Sequence, residues 1–353
     1  MRVLFTSHVE HYTIGMVQSL SKYVDIWVLS LSTPLREFPK QLGKPNINRQ
    51  LVAPDIWKIG GALRVLALKV LPKVLFDITH TNTSNIGLLT GARDRLVVTE
   101  HGWPDPDLQH ESAKLGYLKE MNALLALNEI GIPIVAISEF TANMLREKFG
   151  VKAHKVVYHG LLDQFKARNP RTLSKGIPVI LWVSRLIPIK EPNVFLDALK
   201  ILNDEYKMNF KAVIRGEGPL KDSMNCTIKR YGLSSKISFA SRIPFGSLPG
   251  LYESASLLVH TSSCEAFGLC ILEAMGMALP VIVPRYGGSY EVAGSAGISF
   301  EPHNASELAE KIYACLQDPE QYRNYSSKSL QRSEFFTWSK AAKEYLEIYN
   351  KLL

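Results

Sequence analysis

The feature that most constrains the fold is an alternation of short apolar runs with segments of helical periodicity. In the second half of the chain, apolar runs at residues 179–183, 211–215 and 257–260 are separated by longer amphipathic stretches. Strands that alternate with helices in this way build parallel sheets covered by helices on both sides. The pattern therefore predicts an α/β fold.

The apolar runs fall into two sets, which predict two domains. A polar segment with Pro170, Gly176 and Pro178 separates the sets and has the composition of a linker. We predict a first Rossmann-like domain at residues 1–165, the linker at 166–178, a second Rossmann-like domain at 179–336 and a C-terminal helix at 337–353. The predicted strands are 3–6, 25–29, 78–80, 96–99, 134–137, 155–157, 179–183, 211–215, 237–239, 257–260, 280–283 and 297–300.

Residues 261–291 place two carboxylates, Glu265 and Glu273, around a turn that opens a helix. The first N–H groups of a helix lack partners and lie at the positive end of its dipole, so they suit a diphosphate. Glu273, about one turn inside, can accept hydrogen bonds from a ribose diol, and Glu265 would face the group attached to the phosphate. The alternative is that Glu265 caps the helix and Glu273 is a solvated helix residue.

The wider order of strand, loop, helix, strand and glycine turn is typical of a nucleotide site. It resembles the E-x7-E element of the retaining GT-B glycosyltransferases of the group 4 family, which carry the glycosyl transferases group 1 domain. The resemblance implies two Rossmann-like, doubly wound domains facing a central cleft. It also implies that Glu273 holds the ribose and Glu265 contacts the transferred sugar. Backbone N–H groups of Phe267, Gly268 and Leu269 would bind sugar hydroxyls and phosphate.

Two basic residues follow the first strand of the second domain. Arg185 and Lys190 can neutralise a diphosphate through charge-assisted hydrogen bonds, each worth roughly 1.5–3 kcal/mol. By resemblance they are the family's Arg and Lys pair, which stabilises the leaving group without a metal ion. The family has glycine after that lysine, whereas Glu191 and Pro192 follow here. Without the resemblance, Arg185 and Lys190 would be interpreted as charged residues on the surface.

Further donor contacts are implied by the resemblance. Gly216 lies in a tight turn that matches the family's G-x-G-P turn. Arg242 and Ile243 lie in the segment whose backbone reads the base in the family, although Ser241 replaces its usual glycine. The identity of the donor base is therefore open.

The first domain matches the family less closely. In the loop after the first strand only Gly15 remains of the family's glycine pair, and it would contact the donor. Polar side chains at residues 8–11 either line an acceptor pocket or belong to a loop without chemistry. His101 matches the family's T-x-H-G element and would donate a hydrogen bond to the sugar near the reacting carbon. His159, where the family has asparagine, is interpreted as a packing residue.

Composition agrees with a globular cytoplasmic enzyme. The chain has 353 residues, 46% hydrophobic and 21% charged, and its four cysteines show no metal-ligand spacing. We interpret them as reduced thiols. We predict neither a signal peptide nor a spanning helix, which needs roughly 18 apolar residues. The net charge of +8 is spread along the chain and indicates no nucleic-acid face.

The predicted function is metal-independent, retaining transfer of a hexose from a nucleoside diphosphate sugar to a saccharide or lipid-linked acceptor. We assign catalysis to Arg185, Lys190, Glu265 and His101 and expect no cofactor. The alternatives are a nucleotide-sugar epimerase, a sugar phosphorylase and a non-catalytic glycan-binding protein. A dinucleotide oxidoreductase is disfavoured because no G-x-G-x-x-G follows the first strand.

Basic residues in a loop at 36–49, together with basic residues set among apolar ones at 64–73, indicate a peripheral contact with an anionic membrane. The alternative is a buried helix with a few exposed lysines.

Overall fold

The computed structural model describes residues 1–7, 11–30, 69–70, 72–91, 93–103, 111–240 and 243–353. These residues divide into two compact units. The first unit comprises Met1–Gly160 with Thr337–Leu353, and the second comprises Leu161–Phe336.

The first unit contains a six-stranded sheet in the order β2-β1-β3-β4-β5-β6, with every neighbouring pair parallel. Its described strands are β1 (Arg2–Ser7), β2 (Asp25–Ser30), β3 (Ile78–Thr81), β4 (Leu96–Glu100), β5 (Ile134–Ala136) and β6 (Lys155–Val156). Its described helices are α1 (His11–Leu20), α2 (Ser84–Leu89), α3 (Glu111–Glu129), α4 (Glu139–Phe149) and the C-terminal helix Trp338–Leu352, with a 3-10 turn at Arg93–Arg95 and helical residues at 69–70 and 72–75.

The second unit also contains six parallel strands, in the order β12-β11-β10-β7-β8-β9. The strands are β7 (Val179–Val183), β8 (Lys211–Arg215), β9 (Ile237–Ala240), β10 (Leu257–Val259), β11 (Val281–Pro284) and β12 (Ile298–Phe300). Its described helices are α5 (Pro192–Asp204), α6 (Lys221–Arg230), α7 (Leu248–Glu253), α8 (Leu269–Gly276), α9 (Gly288–Ala293), α10 (Ala305–Gln317) and α11 (Pro319–Ser333). The C-terminal helix Trp338–Leu352 of the first unit is numbered α12. Short 3-10 turns lie at Asp163–Phe165, Pro188–Lys190, Phe245–Ser247 and Gly294–Ala296.

The apolar runs form strands that are covered on both faces. Every residue of β3, β4, β10 and β11 is buried, as expected for parallel strands without a solvent face. All twelve predicted strands are present, with ends within two residues of the predicted ones. The predicted α/β class is confirmed.

Helix α12 packs within the first unit through buried aromatic side chains. The hydroxyl of Tyr345 lies 2.7 Å from Oγ1 of Thr99, and that of Tyr349 lies 2.6 Å from Nδ1 of His80. Since Thr99 and His80 belong to the central strands β4 and β3, these bonds hold α12 against the middle of the sheet.

The segment predicted as a linker is hydrogen-bonded to the second unit. The guanidinium of Arg171 donates to the carbonyls of Met277 at 2.8 Å, Tyr252 at 2.9 Å and Ala255 at 3.1 Å. These carbonyls follow or end α7 and α8, so one side chain satisfies the ends of two helices.

In the part of the chain that the structure describes, no helix combines the length and the apolar character needed to cross a bilayer. All four cysteines are free thiols.

Candidate active site

The carboxyl edge of the second sheet brings a lysine and a glutamate together. Lys190 ends the 3-10 turn that follows β7, and Glu265 lies in the loop between β10 and α8. Nζ of Lys190 donates to Oε2 of Glu265 at 2.6 Å. The side chains are 11% and 19% exposed, respectively, so this ion pair is largely desolvated.

A buried histidine lies behind the same carboxylate. Nε2 of His260, the residue after β10, is 3.5 Å from Oε2 of Glu265. Burial lowers the pKa of His260 to about 4, with Glu265 acting in the opposite direction. Burial alone would raise the pKa of Glu265, but Lys190, His260 and Arg185 together hold it below its usual value. Glu265 is therefore an anion and a weak base at neutral pH.

Side-chain hydrogen bonds tie the loop after β10 to the turn after β7. Oγ1 of Thr261 donates to the carbonyl of Lys190 at 2.8 Å, and Oγ of Ser262 donates to the carbonyl of Ile189 at 2.7 Å. These small polar residues position the backbone that carries Lys190 and Glu265.

Helix α8 begins at a glycine without a side-chain cap. Gly268 has φ 91°, a left-handed conformation that costs glycine little. The N–H of Gly288 donates to the carbonyl of Glu265 at 2.6 Å, and a Cβ at Gly288 would lie 2.1 Å from the carbonyl oxygen of Ala266. The glycine turn before α9 thus packs directly on the loop. Phe267 is buried there, and Leu269 is the first residue of α8.

The second glutamate is held inside α8 by a tyrosine. Glu273 is 7% exposed, and the hydroxyl of Tyr252 on α7 donates to its Oε2 at 2.6 Å. Burial raises the pKa of Tyr252 well above its usual value, and the nearby Glu273 adds to the shift. The hydroxyl therefore remains a donor to the carboxylate.

The remaining predicted donor residues of the second unit lie at strand ends. Arg185 is exposed after β7, close enough to influence the pKa of Glu265. Gly216 follows β8, where a Cβ would lie 1.8 Å from the carbonyl oxygen of Ser184. Ile243 is half-buried before the Phe245–Ser247 turn. Arg242 lies outside the described residues.

His101 lies in the first unit, at the end of β4, within a group of stacked rings. Its ring centroid is 4.1 Å from that of Tyr12 and 5.1 Å from that of His159. Nδ1 of His101 and Nε2 of His159 are 3.3 Å apart, so one imidazole donates to the other. We call Tyr12, His101 and His159 the histidine stack. Burial lowers the pKa of His101 to about 3, and burial with His101 lowers that of His159 well below its usual value.

The residue before His101, Glu100, is buried and lies near the partly buried Glu120 of α3. Burial and the neighbouring Glu120 raise the pKa of Glu100 to about 8, against the hydrogen bond from Ser84. The N–H of Ser84 also donates to Glu120 at the start of α2.

Gly15 lies inside α1. A Cβ there would lie 2.1 Å from Nε1 of Trp338, so glycine is required for α12 to pack. Its predicted contact with the donor stays a prediction.

Two residues of the site, His260 and Tyr252, were not predicted from the sequence, and Glu191 was predicted only as a departure from the family pattern. His260 directly follows β10 and precedes the loop of Glu265, and this position could have indicated that it belongs to the site. Tyr252 carried no signal, because its link to Glu273 depends on the packing of α7. Glu191 occupies the family's glycine position and has φ 49°. The replacement of glycine by glutamate was the feature of the sequence that could have indicated its role.

Among the described residues, no three histidine, cysteine, aspartate or glutamate side chains are grouped as metal ligands. The predicted metal independence stays a prediction.

Residues 163–332 match the family model described as glycosyl transferases group 1. The second unit is a glycosyl transferases group 1 domain. The resemblance drawn from the two glutamates is thereby confirmed. Lys190, Glu265 and Glu273 all lie within this group 1 domain.

Known proteins are similar to part of this chain. The chain is 25% identical over 231 residues to the O-antigen chain mannosyltransferase B of Escherichia coli, covering 62% of this chain and 60% of that protein. It is 27% identical over 236 residues to a D-inositol 3-phosphate glycosyltransferase of Streptomyces bingchenggensis, covering 61% and 52%. The chain thus spans about half to three-fifths of these relatives.

Among solved structures, Anabaena HepE in complex with UDP and glucose matches with a TM-score of 0.77 at 18% identity, covering 99% of this chain and 100% of HepE. Because this likeness extends over both units, the predicted GT-B fold class is confirmed.

Proposed function

We propose that the protein is a glycosyltransferase that takes a hexose from a nucleoside diphosphate sugar, with retention and without a metal ion. The observation that carries the proposal is the 2.6 Å pair of Lys190 and Glu265 in the loops that precede α5 and α8. The group 1 domain and the UDP-sugar complexes of HepE support it.

Lys190 is arranged to stabilise a leaving diphosphate. Its ammonium has three donors, and the bond to Glu265 uses one of them. Within the described residues the ammonium makes no other hydrogen bond, so its other two donors are available for phosphate oxygens, and Arg185 adds a second cation nearby. As the sugar acquires oxocarbenium character, negative charge builds on the diphosphate. A preorganised cation there is worth about 10²–10³ in rate.

Glu265 is better suited to hold the sugar than to take a proton. Lys190 and His260 both lie at Oε2 and lower its pKa, whereas Oε1 forms no hydrogen bond within the described part of the chain. Oε1 can therefore accept from a sugar hydroxyl. In the proposed reaction the departing phosphate takes the proton of the acceptor hydroxyl, which enters on the same face.

Glu273 would hold the ribose. Tyr252 fixes its carboxylate near the start of α8, whose first N–H groups suit the diphosphate. The assignment of Phe267, Gly268, Leu269, Gly216, Arg242, Ile243 and Gly15 to donor binding stays part of the proposal.

For the acceptor we propose a saccharide or lipid-linked saccharide. The mannosyltransferase and inositol phosphate glycosyltransferase names of the relatives support an acceptor rich in hydroxyls. A peripheral membrane contact is part of this proposal. Residues 36–49 lie outside the described residues, and of 64–73 the structure describes Lys69, Val70 and Lys73, which are exposed, and Pro72, which is buried. Co-sedimentation with anionic vesicles at low salt tests this contact, and no binding would remove it.

The proposed function is tested by thermal shifts with UDP, GDP, ADP, AMP, NAD and orthophosphate, each with and without magnesium. A ligand at 100 times its Kd stabilises the fold by about 2.7 kcal/mol. We expect one nucleoside diphosphate to stabilise the protein equally with and without the metal. The matching nucleotide sugar then serves for an acceptor screen, with the product anomer assigned by NMR. A folded protein that responds to orthophosphate alone would indicate a phosphorylase instead.

A further inference from the structure

Glu191, directly after Lys190, has a backbone conformation that glutamate rarely adopts. With φ 49° and ψ 47° it lies in the left-handed region, between the Pro188–Lys190 turn and Pro192, the first residue of α5. Glycine occupies this region without a steric penalty. A non-glycine residue persists there only when its surroundings hold it.

The side chain of Glu191 makes the contacts that hold it. Oε1 accepts from the N–H of Ser263 at 3.1 Å and from Oγ of Ser263 at 2.5 Å. Nδ1 of His303 lies 2.7 Å from Oε2, without the geometry of a hydrogen bond. Ser263 follows β10 and His303 follows β12, so one carboxylate joins the loops after three strands. The side chain of Glu191 is 15% exposed, which strengthens the two hydrogen bonds that its carboxylate accepts from Ser263.

The contact between Glu191 and Ser263 lies directly beside the Lys190–Glu265 pair in the chain. Lys190 precedes Glu191, and Glu265 lies two residues beyond Ser263. The hydrogen bonds from Thr261 and Ser262 to backbone carbonyls connect the same two segments, the loop after β10 and the turn after β7. Glu191 adds a charged contact to Ser263, which of Thr261, Ser262 and Ser263 is the nearest in sequence to Glu265.

We propose that Glu191 is a positioning residue that holds the Lys190 ammonium against Glu265 by strapping the loop after β10 to the turn after β7. The inference rests on the proposed function for its effect on turnover. The strap itself is a property of the folded chain and can be measured without substrate.

The first test measures the acetylation rate of Lys190 by acetic anhydride, using mass spectrometry on the full chain without ligand. Lys200, paired with Asp204 on the surface of α5, serves as the internal reference. In Glu191→Gly we expect Lys190 to react several-fold faster relative to Lys200, because the loop no longer holds Glu265 in place. Glu191→Gln keeps an acceptor for Ser263, and we expect it to restore most of the slow labelling.

The second test measures kcat and KM with the nucleotide sugar found by the thermal-shift screen. We expect Glu191→Gly to lower kcat about 10- to 100-fold with a smaller change in KM, since misplacing a reacting group slows the chemical step. Lys207→Gly is the matched control, because Lys207 is another non-glycine residue at positive φ, 52°, before β8. It should change neither labelling nor kcat.

Unchanged labelling of Lys190 in Glu191→Gly overturns the inference, as does faster labelling with unchanged turnover. A wild-type protein without nucleotide-sugar turnover refutes the proposed function instead, and the labelling result still decides whether the strap exists.

Discussion

The carboxyl edges of the two sheets are built from similar strand, loop and helix units but differ in charge. In the first unit, the edge holds the histidine stack, whose imidazoles burial keeps neutral. In the second unit, the corresponding edge holds the Lys190–Glu265 ion pair, with a neutral histidine behind it. The shared architecture therefore does not determine the chemistry; the residues that follow each strand do.

The difference has a physical consequence. A neutral stack of rings binds a ligand through contact area and single hydrogen bonds, and its buried imidazoles take up a proton only at low pH. A desolvated ion pair with unused donors responds strongly to a charged ligand. We therefore expect the second unit to dominate recognition of a diphosphate and the first unit to dominate the response of stability to pH.

Lys190→Ala is the largest expected perturbation of this comparison. Removing the ammonium should lower kcat about 10²–10³-fold, because a preorganised charge at the leaving group is lost. It also leaves Glu265 without its ion-pair partner. Steady-state kinetics with the identified nucleotide sugar measure the effect.

Lys200→Ala is the matched control, since Lys200 pairs with Asp204 in the same way on an exposed surface of α5. It should leave kcat within about twofold, as exposed pairs contribute little. Equal losses in the two variants would refute the special role of Lys190.

Acid should destabilise the first unit more than the second. The pKa of His80 and of His101 is lowered to about 3, and that of His159 is lowered too, while His260 is the buried histidine of the second unit. Unfolded histidines bind protons below about pH 6.5, so stability falls as pH decreases below that value, at about 1.4 kcal/mol per pH unit for each histidine.

Glu100 acts with the opposite sign in the first unit. Because its folded pKa is raised to about 8, stability falls as pH rises from about 4.5 to 8. The first unit should therefore be most stable near pH 6.5. On the acid side the three histidines outweigh Glu100 by about two protons, so stability falls by about 2.7 kcal/mol per pH unit, and Glu120, whose pKa burial also raises, offsets part of this loss. Hydrogen exchange at several pH values, resolved by unit, measures this. A first unit that is insensitive between pH 4.5 and 6.5 would contradict the buried, neutral assignment of the stack.

Tyr252→Phe should have the smallest effect. It removes the donor to Oε2 of Glu273, so we expect a loss of about 1–3 kcal/mol in stability and about tenfold weaker binding of the nucleoside diphosphate. Isothermal titration measures the affinity. Tyr231→Phe is the control. The hydroxyl of Tyr231 also donates to a carboxylate, that of Asp197, at 2.6 Å, but neither residue belongs to α8. If both variants bind the nucleotide as the wild type does, Tyr252 does not support the donor site.

Most of the fold could be predicted from the sequence, since a buried parallel strand is a continuous apolar run and needs no knowledge of its partners. All twelve strands follow from this pattern. The ion pair could be predicted only as two residues at strand ends, because parallel strands bring their carboxyl ends to one edge.

Other features could not be predicted because they depend on packing across the fold. Tyr252 reaches Glu273 through the docking of α7, and Gly15 is glycine because Trp338, more than 300 positions away, packs on it. The pairing of His101 with His159 likewise joins two strand ends that local periodicity does not connect. Glu191 was visible as a departure from the family pattern, but its role depends on Ser263 and His303.

The most direct test of the account is hydrogen–deuterium exchange of the full chain with the nucleoside diphosphate that gives the largest thermal shift. We expect the strongest slowing of exchange at residues 184–191 and 261–272, where Lys190, Glu265 and the start of α8 lie. Bound nucleotide that leaves these amides unchanged, or protects only residues of the first unit, would contradict it.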